Sequence, residues 1–150
     1  MSERVYLRPP WFARVVGNRM AAFFRPSLVS HLSVQGRRSG RWHTVPVAVL
    51  DHGNERYLLA PRGETDWVLN LRASGTGRLT KHGLVEEITV AEVPKTERSG
   101  LVEAYLARYR KMPTVAPAFR ALPDPADHPT FRITGSASPG PAAHRRGGTR

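Results

Sequence analysis

Short β-branched runs separated by glycine-bearing turns at hairpin spacing constrain this chain more than any other feature. Residues 44–50 are β-branched and apolar, and Asp51-His52-Gly53-Asn54 closes them onto residues 56–60. A second hairpin sets residues 78–81 against 85–93 and turns at His82-Gly83. Leu32 and Val34 lead into Gln35-Gly36-Arg37-Arg38-Ser39-Gly40, a turn by its glycine content, and residues 130–134 alternate enough to form a last strand. Pro46 lies inside one of these runs and donates no backbone hydrogen bond, so that strand is expected at a sheet edge or a bulge.

Helical spacing appears in three places. Residues 10–24 carry Trp11, Phe12, Val15, Val16, Met20, Phe23 and Phe24 at intervals of three and four, ending at Pro26. Thr65 or Asp66 caps a short helix containing Trp67, Leu69 and Leu71, with Gly75 and Gly77 ending it. Residues 96–110 place Leu101, Val102, Tyr105, Leu106 and Tyr109 on one face. Residues 112–129 hold five prolines and read as an ordered loop or a broken helix. From Gly135 onward no large apolar side chain remains, which predicts a disordered basic tail. The expected organisation is an amphipathic helix over residues 1–27, a domain over 28–134 and a tail over 135–150. The fold class is mainly β with peripheral α, a small barrel with helices attached. Periodicity does not choose the barrel type.

At 150 residues the length fits one domain. The chain has no cysteine, which excludes disulfides, thiolate metal sites and cysteine nucleophiles. It has no secretory-type leader and no apolar run long enough to span a bilayer, so the expected location is cytoplasmic. A membrane-surface contact through the first helix stays open. The formal net charge of +11 favours an anionic partner such as a phosphorylated cofactor, a nucleic acid or an acidic lipid surface. The histidines at 31, 43, 52, 82, 128 and 144 show no metal-ligand spacing, and no metal is expected.

The most informative run is Gly36-Arg37-Arg38-Ser39-Gly40-Arg41-Trp42-His43-Thr44-Val45-Pro46. Its glycines let the backbone approach an anion, and its arginines supply planar donor forks for phosphate or carboxylate. This run, followed by a hairpin and then by Asp66-Trp67-Val68-Leu69-Asn70-Leu71-Arg72-Ala73, resembles the deazaflavin (coenzyme F-420)-dependent nitroreductase family. Ala60-Pro61-Arg62-Gly63 stands where that family has a cofactor loop, and the resemblance covers roughly residues 28–134. It implies a split β-barrel related to FMN-binding barrels, and a cofactor with a deazaflavin ring, a phosphate and an oligoglutamate tail. Arg37, Arg38 and Ser39 would hold the phosphate and tail, with Gly40, Arg41 and His43 on the same turn. Arg62 and Gly63 would lie along the cofactor, Asn70 would fix the loop or the cofactor, and Trp67 would anchor the core. Tyr105 and Tyr109 resemble the family's substrate-side tyrosines.

Three departures stand out: His43 where the family commonly has Arg, Pro61 where a small hydroxyl residue is common, and a short link before Trp67. The implied activity is hydride transfer from the reduced deazaflavin to a planar electrophile (a quinone, an enone or a nitroaromatic), as a nitroreductase or quinone reductase. FMN is the second cofactor choice. A non-catalytic cofactor- or lipid-binding barrel is the alternative, and a homodimer is open. A nucleic-acid partner is disfavoured, because the arginines gather at one turn rather than interleaving with aromatics along a face.

Overall fold

The structure, a computed structural model, describes residues 28–138. The helix expected over residues 10–24 and the tail beyond residue 138 lie outside the described residues. The elements run β1 (Ser30–Gln35), β2 (Trp42–Val47), β3 (Val49–His52), β4 (Glu55–Leu59), α1 (Asp66–Ser74), β5 (Thr76–Lys81) and β6 (Leu84–Glu92). A 3-10 turn (Lys95–Glu97), α2 (Ser99–Tyr109), α3 (Val115–Ala121), a second 3-10 turn (Pro125–Asp127) and β7 (Thr130–Ala137) follow.

The strands form one seven-stranded antiparallel sheet in the order β2-β1-β5-β6-β7-β4-β3. β2 and β3 occupy its two ends, yet only Ala48 separates them in sequence. One residue spans less than about 4 Å, so the sheet must curl until its ends nearly meet. That is a split barrel. The apolar run at 44–50, expected as one strand, is therefore two strands that part at Ala48. Pro46 sits on β2, paired only with β1, so its missing N–H costs no ladder bond on the other side.

Alternation fills the barrel. Along β1, Ser30, Leu32 and Val34 are buried, while His31 and Gln35 face outward. Burying Leu32 and Val34, both with no exposed surface, contributes about 1.5–3 kcal/mol each. α1 adds Val68 and Leu71 to the same core, beside Ile88 and Phe131. A second core lies between the sheet and the later helices, where Leu101, Val102, Tyr105 and Tyr109 of α2 meet Leu50, Leu59 and Phe119.

Two further expectations, on Gly77 and Gly135, need correction. Gly75 ends α1 in the left-handed conformation at φ 74°, its N–H donating to the Leu71 carbonyl at 2.7 Å. Gly77 does not end the helix. It lies inside β5, where a Cβ would sit 3.1 Å from the Ser33 carbonyl oxygen, so its size lets β5 approach β1. Residues 112–129 take the second of their two expected forms, a broken helix: α3, then a 3-10 turn whose N-terminus is capped by Asp124. Gly135 is not the start of a tail, since β7 runs to Ala137 and pairs with β6 beyond a register shift at Thr89/Val90. Among the described residues no helix is long and apolar enough to cross a membrane.

Candidate functional site

The arginine turn is built by its own backbone and held from outside by α1. Gly36 donates to the Arg41 carbonyl at 2.7 Å and Gly40 to the Gly36 carbonyl at 2.9 Å. Gly40 adopts φ 75°, which a side chain would resist. Asn70, buried on α1, accepts from the Arg37 backbone N–H at 3.0 Å and from Arg37 Nη1 at 2.7 Å. Of its two expected roles, fixing the loop is the one these bonds perform. Arg37 also lies 3.6 Å from the exposed carboxylate of Asp66, a pair that contributes little.

Arg37, Arg38, Ser39, His43 and Asn70 line an open groove of about 690 Å³, together with Trp42 and Thr44 of β2 and Asp66 and Trp67 of α1. A Cβ on Gly36 would meet Ser39 Oγ at 3.0 Å and His43 Nε2 at 3.1 Å, so the absence of a side chain there lets these two donors converge. Two guanidinium groups, a hydroxyl and an imidazole at one concave place suit phosphate and carboxylate oxygens. The residues present thus fit the anionic portion of a deazaflavin. Gly40 and Arg41 shape the turn but are not among the groove-lining residues; Arg41 N–H is bonded to Ser39 Oγ at 3.1 Å.

Beside the groove lies an apolar cavity of about 280 Å³. Its walls come from β2 (Val45, Pro46, Val47), from the loop after β4 (Pro61, Arg62), from Tyr105 of α2, and from Met112, Thr114 and Val115 at the entry to α3. Val45 and Trp67 line both spaces, so groove and cavity share a wall. Trp67 is half-buried, with its ring 6.3 Å from that of Phe131; it is a core anchor that also presents a face to the site. Gly63 is buried at φ 89°, its N–H bonded to the Ala60 carbonyl at 3.2 Å, and supports the loop from behind.

The two tyrosines part company. Tyr105 lines the cavity, and burial, reinforced by Tyr109, pushes its hydroxyl well above the ordinary phenol value. It therefore stays protonated and able to donate. Tyr109 packs against it at 5.0 Å between ring centroids, but its hydroxyl donates to the Val49 carbonyl at 2.5 Å and it is not among the cavity-lining residues. Trp42, Thr44, Trp67, Met112 and Thr114 are site-lining residues that sequence reasoning did not select. Trp67 carried a signal through its place in the Trp-x-x-Asn-Leu run, and Trp42 and Thr44 through theirs beside His43 in the arginine run, whereas Met112 and Thr114 carried none.

Comparison with solved structures gives the same architecture at low identity. An F-420-H2-dependent reductase aligns with a TM-score of 0.51 and 18% identity over 71% of this chain and 93% of that one. A second, described as an F-420 reductase, gives 0.50 and 17% over 78% and 94%. A domain-swapped dimer gives 0.52 and 16% over 84% and 99%. No curated protein matches the sequence. The family model for F-420H(2)-dependent quinone reductases matches residues 11–115, a span that contains both the arginine turn and the Trp67–Asn70 helix. The chain belongs to that family.

Proposed function

We propose that the protein is an F-420-dependent reductase that delivers hydride to a planar electrophile, a quinone, enone or nitroaromatic, held in the apolar cavity. Family membership supports the cofactor and the reaction type. The observation that carries the site assignment is the shared wall: Val45 and Trp67 line both the basic groove and the apolar cavity. An elongated ligand with an anionic tail and a flat ring can lie across that wall with each part in matching surroundings.

When bound, the reduced deazaflavin supplies a hydride as a two-electron donor. The chain's part is positioning and electrostatics. Arg38, Ser39 and His43 bind the phosphate and the carboxylates, while Asn70 fixes Arg37 and the turn. Trp67 and Val45, which line both spaces, would hold the ring, and the apolar walls would exclude water from the reacting atoms. Tyr105, held protonated, donates a hydrogen bond to the oxygen on which negative charge develops as the electrophile accepts hydride. Pro61 offers no hydroxyl to the cavity, so that donation would fall to Tyr105 on the α2 side.

The test is a fluorescence titration with oxidised coenzyme F-420 beside FMN, followed by the loss of reduced-cofactor absorbance when a quinone is added. Saturable deazaflavin binding and quinone-dependent oxidation are expected. Preference for FMN would discard the donor, and binding without oxidation would leave a non-catalytic carrier.

A further inference from the structure

The apolar cavity is lined by two hydroxyl-bearing residues, Tyr105 of α2 and Thr114 at the entry to α3. Neither belongs to the lining of the basic groove. Thr114 stands at the N-cap of α3, where a threonine hydroxyl ordinarily accepts from a backbone N–H two or three residues on. That bond goes with extended backbone at the cap residue. Thr114 instead has φ −93° and ψ −12°, helical values, and its side chain makes no capping bond. Tyr109, the ring neighbour of Tyr105, commits its hydroxyl to the Val49 carbonyl. Among the described residues the hydroxyls of Tyr105 and Thr114 have no such partner.

Both residues are held by the structure behind them. Met112 donates to the Tyr109 carbonyl at 2.9 Å and Val115 to the Met112 carbonyl at 3.0 Å, which fixes the turn that carries Thr114. The Tyr105 ring packs on Tyr109, with centroids 5.0 Å apart, and on Phe119 of α3 at 5.9 Å. The wall from β2, made of Val45, Pro46 and Val47, offers no polar side chain. Arg62, the charged residue of the lining, comes from the loop expected along the cofactor and is itself engaged. An acceptor that fills the cavity takes water away from both hydroxyls, so its own oxygens must partner them or each is left unpaired at a cost. A few fixed polar groups in an apolar pocket set which ligand it takes and in what orientation.

The acceptors open to this cavity differ in how many oxygens they present. A quinone takes up one hydride from the reduced deazaflavin, which is thereby oxidised, and one proton from solvent. Both of its carbonyl π bonds are lost, and both ring oxygens end as hydroxyls. An enone takes up the same hydride and proton but presents a single oxygen. We propose that Thr114 is a specificity-determining residue whose hydroxyl donates to the ring oxygen that Tyr105 does not hold, so that the cavity selects a quinone over a single-carbonyl enone. This rests on reading the cavity as the acceptor site. It adds to that reading a second donor, contributed by α3, and a choice among the acceptors.

Initial rates with reduced F-420 and either menadione, a two-ring quinone, or cyclohexenone read the selection. Thr114→Val keeps the shape of the side chain and removes its hydroxyl. It should raise KM for menadione about fivefold, the scale of one neutral hydrogen bond, and leave KM for cyclohexenone unchanged. Thr114→Ser, which keeps the hydroxyl, should restore the menadione KM. Because the hydroxyl caps nothing, Tm should stay the same in both variants. An unmoved menadione KM, or an equal shift for the two acceptors, overturns the assignment. A loss of Tm in Thr114→Val that Thr114→Ser recovers also overturns it, since the hydroxyl would then be structural. If the protein binds no deazaflavin, the functional reading fails, and calorimetry of menadione with the full chain alone decides this one separately. A Kd about fivefold weaker for Thr114→Val than for the wild type supports the second donor; equal affinity, or no binding to the wild type, rejects it.

Discussion

Arg37 and Arg38 are adjacent in sequence and differ in what holds them. Arg37 is committed to Asn70 through two bonds, whereas Arg38 is exposed on the groove. Arg38→Ala is expected to weaken F-420 binding by about 1.5–3 kcal/mol, the size of a charged hydrogen bond, with little change in Tm. Asn70→Ala should lower both, because it strips the acceptor that fixes the turn. Fluorescence titration and thermal denaturation of the two variants separate these effects. The tyrosines divide similarly. Tyr109→Phe should cost about 1 kcal/mol of stability, since it leaves the Val49 carbonyl unpaired, and should leave turnover largely intact. Tyr105→Phe should lower kcat at unchanged Tm; equal kcat for wild type and variant would return Tyr105 to the core. The arginine turn was legible because its donors are consecutive in sequence. Met112 and Thr114 were not, because they reach the cavity only when the entry to α3 is brought against β2 by the fold.

At the scale of elements, hairpins read cleanly where the turn dictates its residues. Gly53 and Asn54 sit at φ 59° and 68°, and His82 and Gly83 at φ 53° and 79°, the paired positive values that two-residue hairpin turns need. What local pattern could not supply was the break at Ala48, since an apolar β-branched run looks the same whether it stays in one ladder or crosses between two. The end of β7 differs from the sequence expectation for a related reason. Small residues there resemble a tail, but Gly135 is small because a Cβ would stand 2.6 Å from Thr89 Oγ1 across the ladder. Gly135→Val should therefore destabilise by about 1–3 kcal/mol, an overpacking cost. Adding Thr89→Ala should recover part of that loss in denaturant unfolding, because the two sites touch. Strictly additive losses would place the strain elsewhere.

The whole molecule depends on how a sheet whose end strands are joined by one residue is kept curled. An ion pair acts across its middle. Arg56 on β4 makes two hydrogen bonds to Glu86 on β6, passing over the intervening β7, and Ser136 of β7 donates to the same carboxylate. Three strands are thereby tied at one group. The Arg56 hydrogen bonds hold the Glu86 carboxyl below its ordinary value, the Ser136 hydroxyl and the charge of Arg56 adding to them against the cost of burial. A carboxyl that ionises more readily in the folded chain than in the unfolded one contributes its full stability above the ordinary glutamate value of about 4.3. That contribution is lost as pH falls through the lower folded value. Thermal unfolding from about pH 7 down to pH 3 should show Tm falling on the acid side, with a shallower fall in Glu86→Gln, which starts lower at neutral pH because it has already lost the charge. Parallel acid limbs for the two proteins would mean that other carboxylates set the acid stability and that the tie across β7 is incidental to it.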